Sequence, residues 1–177
     1  MKLFFPQYHR PRNGYMKNYR VLLEFFFMQK IMGFNRGVPW PVDFRSKVRG
    51  WRFIQKGIMC DPGDSPGVYI NAYGGLKMGN NVAVAPNVTI VTTNHNKYDH
   101  RKISRTKGVE IGNNVWIGAN CVILPGAKIG NEVTIGAGCV VSGEIPSKST
   151  VTRGDDAIKI IPKTKDYEWD IYQEKLT

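Results

Sequence analysis

The sequence predicts an all-β chain wound as a β-helix, and three observations carry that reading. An aliphatic residue recurs every sixth position, at Ile111, Ile117, Ile123, Ile129, Ile135 and Val141. Two residues before each stands a second apolar or small residue: Val109, Val115, Cys121, Ala127, Val133 and Cys139. Gly follows the aliphatic position at Gly112, Gly118, Gly130 and Gly136. A strand sends alternate side chains to opposite faces, so each six-residue unit puts two apolar groups on one side and then turns at Gly or Asn. One such unit cannot bury its apolar edge alone and does so only by stacking on the next.

Ahead of the repeat, residues 15–33 place Val21, Leu22, Phe25, Phe26, Met28 and Ile31 near helical spacing and stop at Gly33, which predicts one N-terminal helix. Its wide apolar surface requires cover from the flank of the coil or from a neighbouring subunit. A place on a membrane surface is the less favoured alternative, open to a Phe-rich helix with Lys17, Arg20 and Lys30 alongside. Pro39-Trp40-Pro41 ends any helix and forces extended chain, after which Val42, Phe44, Val48 and Ile54 suggest short strands and the start of the solenoid. Asp61-Pro62-Gly63-Asp64 and Ser65-Pro66-Gly67 are turn sequences that make the early coils irregular. Clear phase begins with Ile70 and Ala72, and continues through Leu76 and Met78, Val82 and Val84, and Val88 and Ile90.

Counted on by sixes from Ile90, Asn96 and Lys102 would face inward; counted back from Ile111, Arg105 would. The two ladders are three residues out of phase, so a loop over about 94–107 is extruded from the coil. It holds His95, Asp99 and His100 with Lys97, Arg101, Lys102, Arg105 and Lys107, and an excursion of that length from a tight solenoid points to function. After Val141, Ser142-Gly143-Glu144-Ile145-Pro146 reads as one last turn, residues 151–162 as a closing strand, and the end of the chain as a short C-terminal helical tail capping the open end. The expected organisation is an N-terminal helical segment over 1–37, the solenoid over 38–162 and the tail over 163–177.

At 177 residues the chain suits one domain with a sizeable core. Its three Cys form neither a disulfide framework nor a metal-ligand spacing. The first residues do not read as a signal peptide. The longest apolar run, Val21 to Met28, is broken by Glu24 and falls short of the roughly 20 residues that cross a bilayer. These features predict a cytoplasmic protein. The formal net charge of +11 favours anionic partners. Lys and Arg are spread along the chain with no recognisable nucleic-acid motif, so a phosphorylated small molecule is the better reading than nucleic acid.

The run from Val82 to Gly138 resembles the sugar and polysaccharide O-acetyltransferases of the hexapeptide-repeat family, the galactoside and maltose acetyltransferases among them. The matching pieces are Ala85-Pro86-Asn87-Val88-Thr89, Asn94-His95, Ile111-Gly112-Asn113-Asn114-Val115-Trp116-Ile117-Gly118, Ile123-Leu124-Pro125-Gly126 and Ile135-Gly136-Ala137-Gly138. The resemblance covers roughly residues 66–152, with Val38-Pro39-Trp40-Pro41-Val42 recurring in acyltransferases of this type. It implies a left-handed parallel β-helix with three repeats per triangular coil, so that residues eighteen apart stack roughly 4.8 Å from each other. Cys121 and Cys139 are such a pair, expected to stay free because directly stacked parallel side chains are poorly aimed for a disulfide.

The same resemblance implies the chemistry. His95 corresponds to the general base that takes the proton of an acceptor hydroxyl while that oxygen attacks the thioester of acetyl-CoA, a direct transfer that needs no metal and no nucleophilic Ser or Cys. An imidazole, with an ordinary pKa of about 6.5, suits that task. Asn71, Asn94 and Asp99 fall on the acceptor side, Asn71 reading equally as a turn-capping amide. The pantetheine arm of acetyl-CoA lies in this family along the groove between neighbouring β-helices of a homotrimer. Outward Trp116 belongs in that groove or in the subunit contact. Gly118, Gly136, Ala137 and Gly138 leave room close to the backbone, or serve only as turn residues. Two departures stand out. Ser142-Gly143 replaces a common Thr-Lys pair, and Gly154-Asp155-Asp156-Ala157-Ile158 puts carboxylates where a cation often meets the CoA phosphates, leaving Lys159, Lys163 or Arg153 to substitute.

The acceptor expected is a hydroxyl of a sugar or glycan; the alternatives are N-acetylation of an amino sugar and acetylation of a xenobiotic. The solenoid also hosts γ-class carbonic anhydrases, and His95 and His100 resemble two of their three zinc-binding His. Upstream, where the third should stand, the chain has Met59, Cys60 and Asp61, and a three-His site needs three ligands. A non-catalytic scaffold is the other rival, against which the His-bearing extruded loop argues.

Overall fold

Each six-residue unit folds as a strand of two or three residues and a corner, and the strands stack coil on coil into a left-handed parallel β-helix. The computed structural model describes residues 2–8, 18–104 and 108–152. The first coil holds β1 (Lys47–Arg49) and β2 (Ile54–Lys56), and the second β3 (Tyr69–Asn71), β4 (Leu76–Met78) and β5 (Val82–Val84). The third has β6 (Thr89–Val91), a hairpin of β7 (Asn94–His95) and β8 (Ile103–Ser104), β9 (Val109–Ile111) and β10 (Val115–Ile117). The fourth holds β11 (Val122–Ile123), β12 (Lys128–Ile129) and β13 (Thr134–Ile135), the last β14 (Val140–Val141), β15 (Glu144–Ile145) and β16 (Thr150–Val151). The first face stacks β1, β3, β6, β11 and β14; the second β2, β4, β9, β12 and β15; the third β5, β10, β13 and β16.

Every inward pair read from the sequence between Ile70 and Val141 is buried, and these side chains form one continuous core. The register pairs Val122 with Val140 and Ile123 with Val141, the eighteen-residue stacking a three-repeat coil requires. Cys121, Cys139 and Cys60 are all buried and none is in a disulfide; Cys121 donates to the Gly136 carbonyl at 3.0 Å, and burial raises its pKa. The corners turn on left-handed residues, Asn81 (φ 54°) and Asn114 (φ 55°) at one, Asn87 and Asn120 (both φ 59°) at another, where Gly138 takes the equivalent place one coil on. Asn is the non-Gly residue that best tolerates this conformation. Its amide also stitches coils together, the Asn80 N–H donating to Asn113 Oδ1 at 2.8 Å and the Asn113 N–H to Asn131 Oδ1 at 2.7 Å.

From the second coil onward, the variation in coil length falls at one corner, between the first and second faces. Elsewhere the inward ladder advances by sixes, as from Met78 to Val84 or Ile117 to Ile123. At this corner the stacked positions are Ile70 and Met78, Ile90 and Ile111, Ile123 and Ile129, and Val141 and Ile145. The second of these steps holds the extruded segment. What the sequence suggests as a loop over 94–107 is an antiparallel hairpin, Asn94 pairing with Ser104 and His95 with Ile103, while residues 105–107 lie outside the described ones.

Three expectations are corrected. Residues Ser142–Pro146 are not a closing turn: they contain β15, whose shortened corner still brings Glu144 beside Lys128 at 2.9 Å. Phe44 is exposed rather than in a strand of the core, because the chain bends at 43–46 around Asp43. Among the described residues the N-terminal helix is α-helical over α1 (Asn18–Val21) and continues as a π-helix over Leu22–Ile31, with the Met32 N–H bonded to the Phe27 carbonyl. Its buried Gln29 explains the fit. The amide donates to the carbonyls of Val38 and Trp40 and accepts the Val42 N–H at 3.0 Å, locking the helix onto the extended Pro39-Trp40-Pro41 segment. Trp40, fully buried, donates to the Pro62 carbonyl at 2.9 Å and closes the first end of the core, where the third face has no strand. The expected strand over 151–162 is described only to Thr152, β16 ending at Val151, and the C-terminal tail lies outside the described residues.

Candidate active site

The hairpin is rooted by Thr92, a buried polar residue directly after β6. Its hydroxyl donates to the Asn71 carbonyl and accepts the Gly74 N–H, both at 2.8 Å, tying the hairpin to the coil before it. Gly74 allows this, since a Cβ there would lie 2.1 Å from the Thr92 carbonyl oxygen. Within the hairpin, Asn96 Oδ1 accepts the N–H groups of Tyr98 (2.8 Å) and Asp99 (3.2 Å), the Asx turn that Asn favours. Asp99 is buried. Its carboxylate accepts the backbone N–H and the guanidinium of Arg101 and meets Lys102 Nζ at 3.2 Å, and the Arg101 side chain beside it holds its carboxyl far below the usual carboxylate range.

This frame fixes His95. The imidazole Nδ1 is hydrogen bonded to the backbone carbonyl of His100 across the hairpin, and the His95 N–H donates to Asn94 Oδ1 at 3.0 Å. A carbonyl oxygen only accepts, so Nδ1 carries the hydrogen and, in the neutral ring, Nε2 keeps its lone pair. The side chain is exposed. The ring is thus held in the tautomer that can take a proton at Nε2 from a group outside the protein.

The other singled-out residues are distributed around the coil. Asn71 is half-buried at the end of β3, opposite Val91 and next to the hairpin root, with Oδ1 accepting the Tyr73 N–H at 3.3 Å. Trp116, in the middle of β10, is 57% exposed between Ala83 and Thr134 of the neighbouring coils, neither large enough to cover an indole. It stands on the third face, across the coil from the corner between the first and second faces where His95 projects. Gly118 is buried, its missing Cβ position filled by Ala137 one coil on, 2.7 Å from the nearest atom. Gly136 sits beneath Val151, Gly138 makes the left-handed corner (φ 73°), and Ala137 and Ser142 are exposed. Lys159, Lys163 and Arg153 lie outside the described residues. The rings of His95 and His100 are 6.5 Å apart, and no group of three His, Cys, Asp or Glu that could hold a metal occurs among the described residues.

Thr92, Gly74 and the His100 carbonyl are absent from the sequence reading. Gly74-Gly75 reads as an ordinary turn, and no sequence pattern marks a backbone carbonyl; Asn96, two residues before Tyr98, does carry an Asx-turn signal.

Residues 108–143 match the family model described as bacterial transferase hexapeptide (six repeats), so the fold and its central repeat define a hexapeptide-repeat β-helix. Among characterised relatives, the galactoside O-acetyltransferase of Escherichia coli is 46% identical over 74 residues, 40% of this chain. The chain spans 36% of that relative's length. Among solved structures, a maltose O-acetyltransferase from Clostridium difficile matches at 34% identity and a TM-score of 0.38, over 55% of this chain and 60% of that one. The serine acetyltransferase 1 of Entamoeba histolytica matches at 21% identity and a TM-score of 0.43, over 63% and 38%.

Proposed function

We propose that the protein is an acetyl-CoA-dependent acyltransferase that acetylates a hydroxyl of a sugar or glycan, with His95 as general base. The observation that carries this reading is the His95 ring, oriented by the His100 carbonyl with Nε2 directed to the outside, on a hairpin extruded from a hexapeptide-repeat solenoid. Nε2 takes the acceptor's hydroxyl proton as the oxygen bonds to the thioester carbonyl carbon. The C–S bond breaks as the tetrahedral intermediate collapses, and the imidazolium returns the proton to the CoA thiolate. The relative's name supports acetyl transfer to oxygen, and the family model matches the repeats that bear Trp116.

The site is assembled between chains of a homotrimer in this reading. The support is geometric: His95 and Trp116 project from opposite sides of the same coil, so a ligand touching both must lie between two copies. An exposed indole flanked by Ala and Thr is costly unless a partner or ligand covers it. Asn71, Asn94 and Asp99 then stand on the acceptor side, the last through the hairpin it braces. Trp116, Ala137 and Ser142 stand for the acetyl-CoA contacts on the outer surface of the coils, and Lys159 and Lys163 are the cations assigned to the nucleotide phosphates. Cytoplasmic location is part of the same proposal, acetyl-CoA being an intracellular thioester.

The test is an acceptor screen: purified protein, acetyl-CoA and a panel of free sugars, nucleotide sugars, oligosaccharides, amino sugars and chloramphenicol, read by release of free thiol. Acceptor-dependent thiol release with O-acetylated product supports the reading. Transfer confined to amines would move the chemistry to N-acetylation, and no thiol release with any acceptor would refute the activity.

A further inference from the structure

The N-terminal helix carries a second apolar row that the reaction does not use. Val21 and Phe25 are buried in a cluster with Phe5 and Tyr8, and Gln29 against residues 38–42, whereas Leu23, Phe27 and Ile31, two residues further along at each step, face the opposite way and are 77%, 55% and 59% exposed. Residues four apart stay nearly in line in so wide a helix, so the three form one stripe. Met32 and Phe34 extend it, and Phe34 meets Phe44 with ring centroids 6.2 Å apart. Large apolar side chains gathered on one exposed face mark a contact surface.

Charge identifies what it contacts. Residues 1–56 contain twelve Lys and Arg against two acidic residues, Glu24 and Asp43, so this third of the chain holds a net +10 of the total +11. The remainder, which includes the hairpin and all the regular coils, is near neutrality at +1. The basic excess therefore lies in the segment that carries the stripe rather than in the regular coils. Arg36 stands two residues after Phe34, and Arg20 precedes Leu23 by three residues; both are exposed, as are Lys47 and Arg49 on the outer side of β1.

We propose that this face docks on an anionic membrane surface, Leu23, Phe27 and Ile31 entering the headgroup boundary and the surrounding cations meeting lipid phosphates. Apolar burial and attraction to anionic lipid reinforce each other in such a helix. Self-contact of this face about a two-fold axis is the less fitting occupant, since it would press two +10 segments together. Docking lies on the surface and does not span it: among the described residues no helix is long and apolar enough to cross a membrane.

The test is flotation of the full chain with vesicles of phosphatidylcholine alone and with vesicles containing about 30% phosphatidylglycerol, at about 20 and about 500 mM salt. The expected result is at least about tenfold stronger association with the anionic vesicles, lost at high salt. Leu23→Ser, Phe27→Ser and Ile31→Ser combined should weaken it by about tenfold or more, since each removes apolar surface that only the bilayer covers. Phe27→Trp is an independent reporter should the triple variant fail to fold, its emission shifting to the blue on addition of anionic vesicles. No flotation at low salt, undiminished flotation of a folded triple variant, or a Phe27→Trp emission already blue in self-associated protein without vesicles would each overturn the proposal, the last by assigning the stripe to a second copy.

Discussion

Replacing Gly74 with Ala places a methyl group 2.1 Å from the Thr92 carbonyl oxygen and 2.9 Å from its carbonyl carbon. Both are backbone atoms of the next coil, so no rotamer change relieves the contact, and the coils must part by about 1 Å. That displacement breaks the two hydrogen bonds of the buried Thr92 hydroxyl, at about 1 kcal/mol each, and overpacking adds about 1–3 kcal/mol. Stiffening the unfolded chain returns about 0.5–1 kcal/mol, leaving a net loss of about 2–4 kcal/mol. Gly143→Ala is the control. Gly143 has φ 75° and nothing within 4 Å of its Cβ position, so Ala there costs only the left-handed backbone, about 1–2 kcal/mol before the same unfolded-state gain. Guanidinium unfolding followed by circular dichroism should place Gly74→Ala about 2 kcal/mol below Gly143→Ala, with matching m-values. Thr92 also roots the hairpin, so acetyl transfer should fall with Gly74→Ala and not with Gly143→Ala. Equal stabilities for the two variants would refute the coil-to-coil contact on which the site is built.

Ile117→Ala, at a fully buried position in the central coil, should cost about 2–5 kcal/mol in the same assay. Asp99→Asn should loosen the hairpin, raising hydrogen exchange at 96–102 and lowering turnover while leaving solenoid unfolding unchanged. The sign with pH follows from its lowered pKa: the Asp99 contribution is complete above its unfolded pKa of about 4 and fades as pH falls below that towards the depressed folded value. Hydrogen exchange across pH 3–7 checks it. Trp116→Ala should raise the KM for acetyl-CoA or shift the protein from trimer to monomer by light scattering; a variant unchanged in both would remove Trp116 from the intersubunit groove.

The core ladder was legible because strand alternation and a six-residue turn leave one way to bury Ile70 to Val141, and the three-residue phase slip between Ile90 and Ile111 located the extruded segment. The form of that segment was not legible. Its antiparallel pairing, the Asx turn at Asn96 and the Thr92 anchor depend on contacts between coils that composition does not encode. The π-helix escaped for a related reason: a segment apolar on both sides gives no single stripe, and only Gln29, satisfied by Val38, Trp40 and Val42, shows which side is inward. His95 stood out by resemblance and by its position at the slip, whereas its tautomer rests on a carbonyl five residues away. The asymmetry of charge was present in the sequence throughout, but its significance depended on seeing the apolar stripe beside it.

The central claim is that Nε2 of His95 accepts the acceptor's proton. Its most direct test compares wild type and His95→Ala for thiol release from acetyl-CoA with the acceptor identified by screening, alongside circular dichroism of both proteins. Turnover should be lower by about 10² to 10⁴ with the β-helix spectrum and the unfolding midpoint retained, since the ring is exposed and supports no core contact. A folded His95→Ala protein that releases thiol at close to the wild-type rate would contradict it.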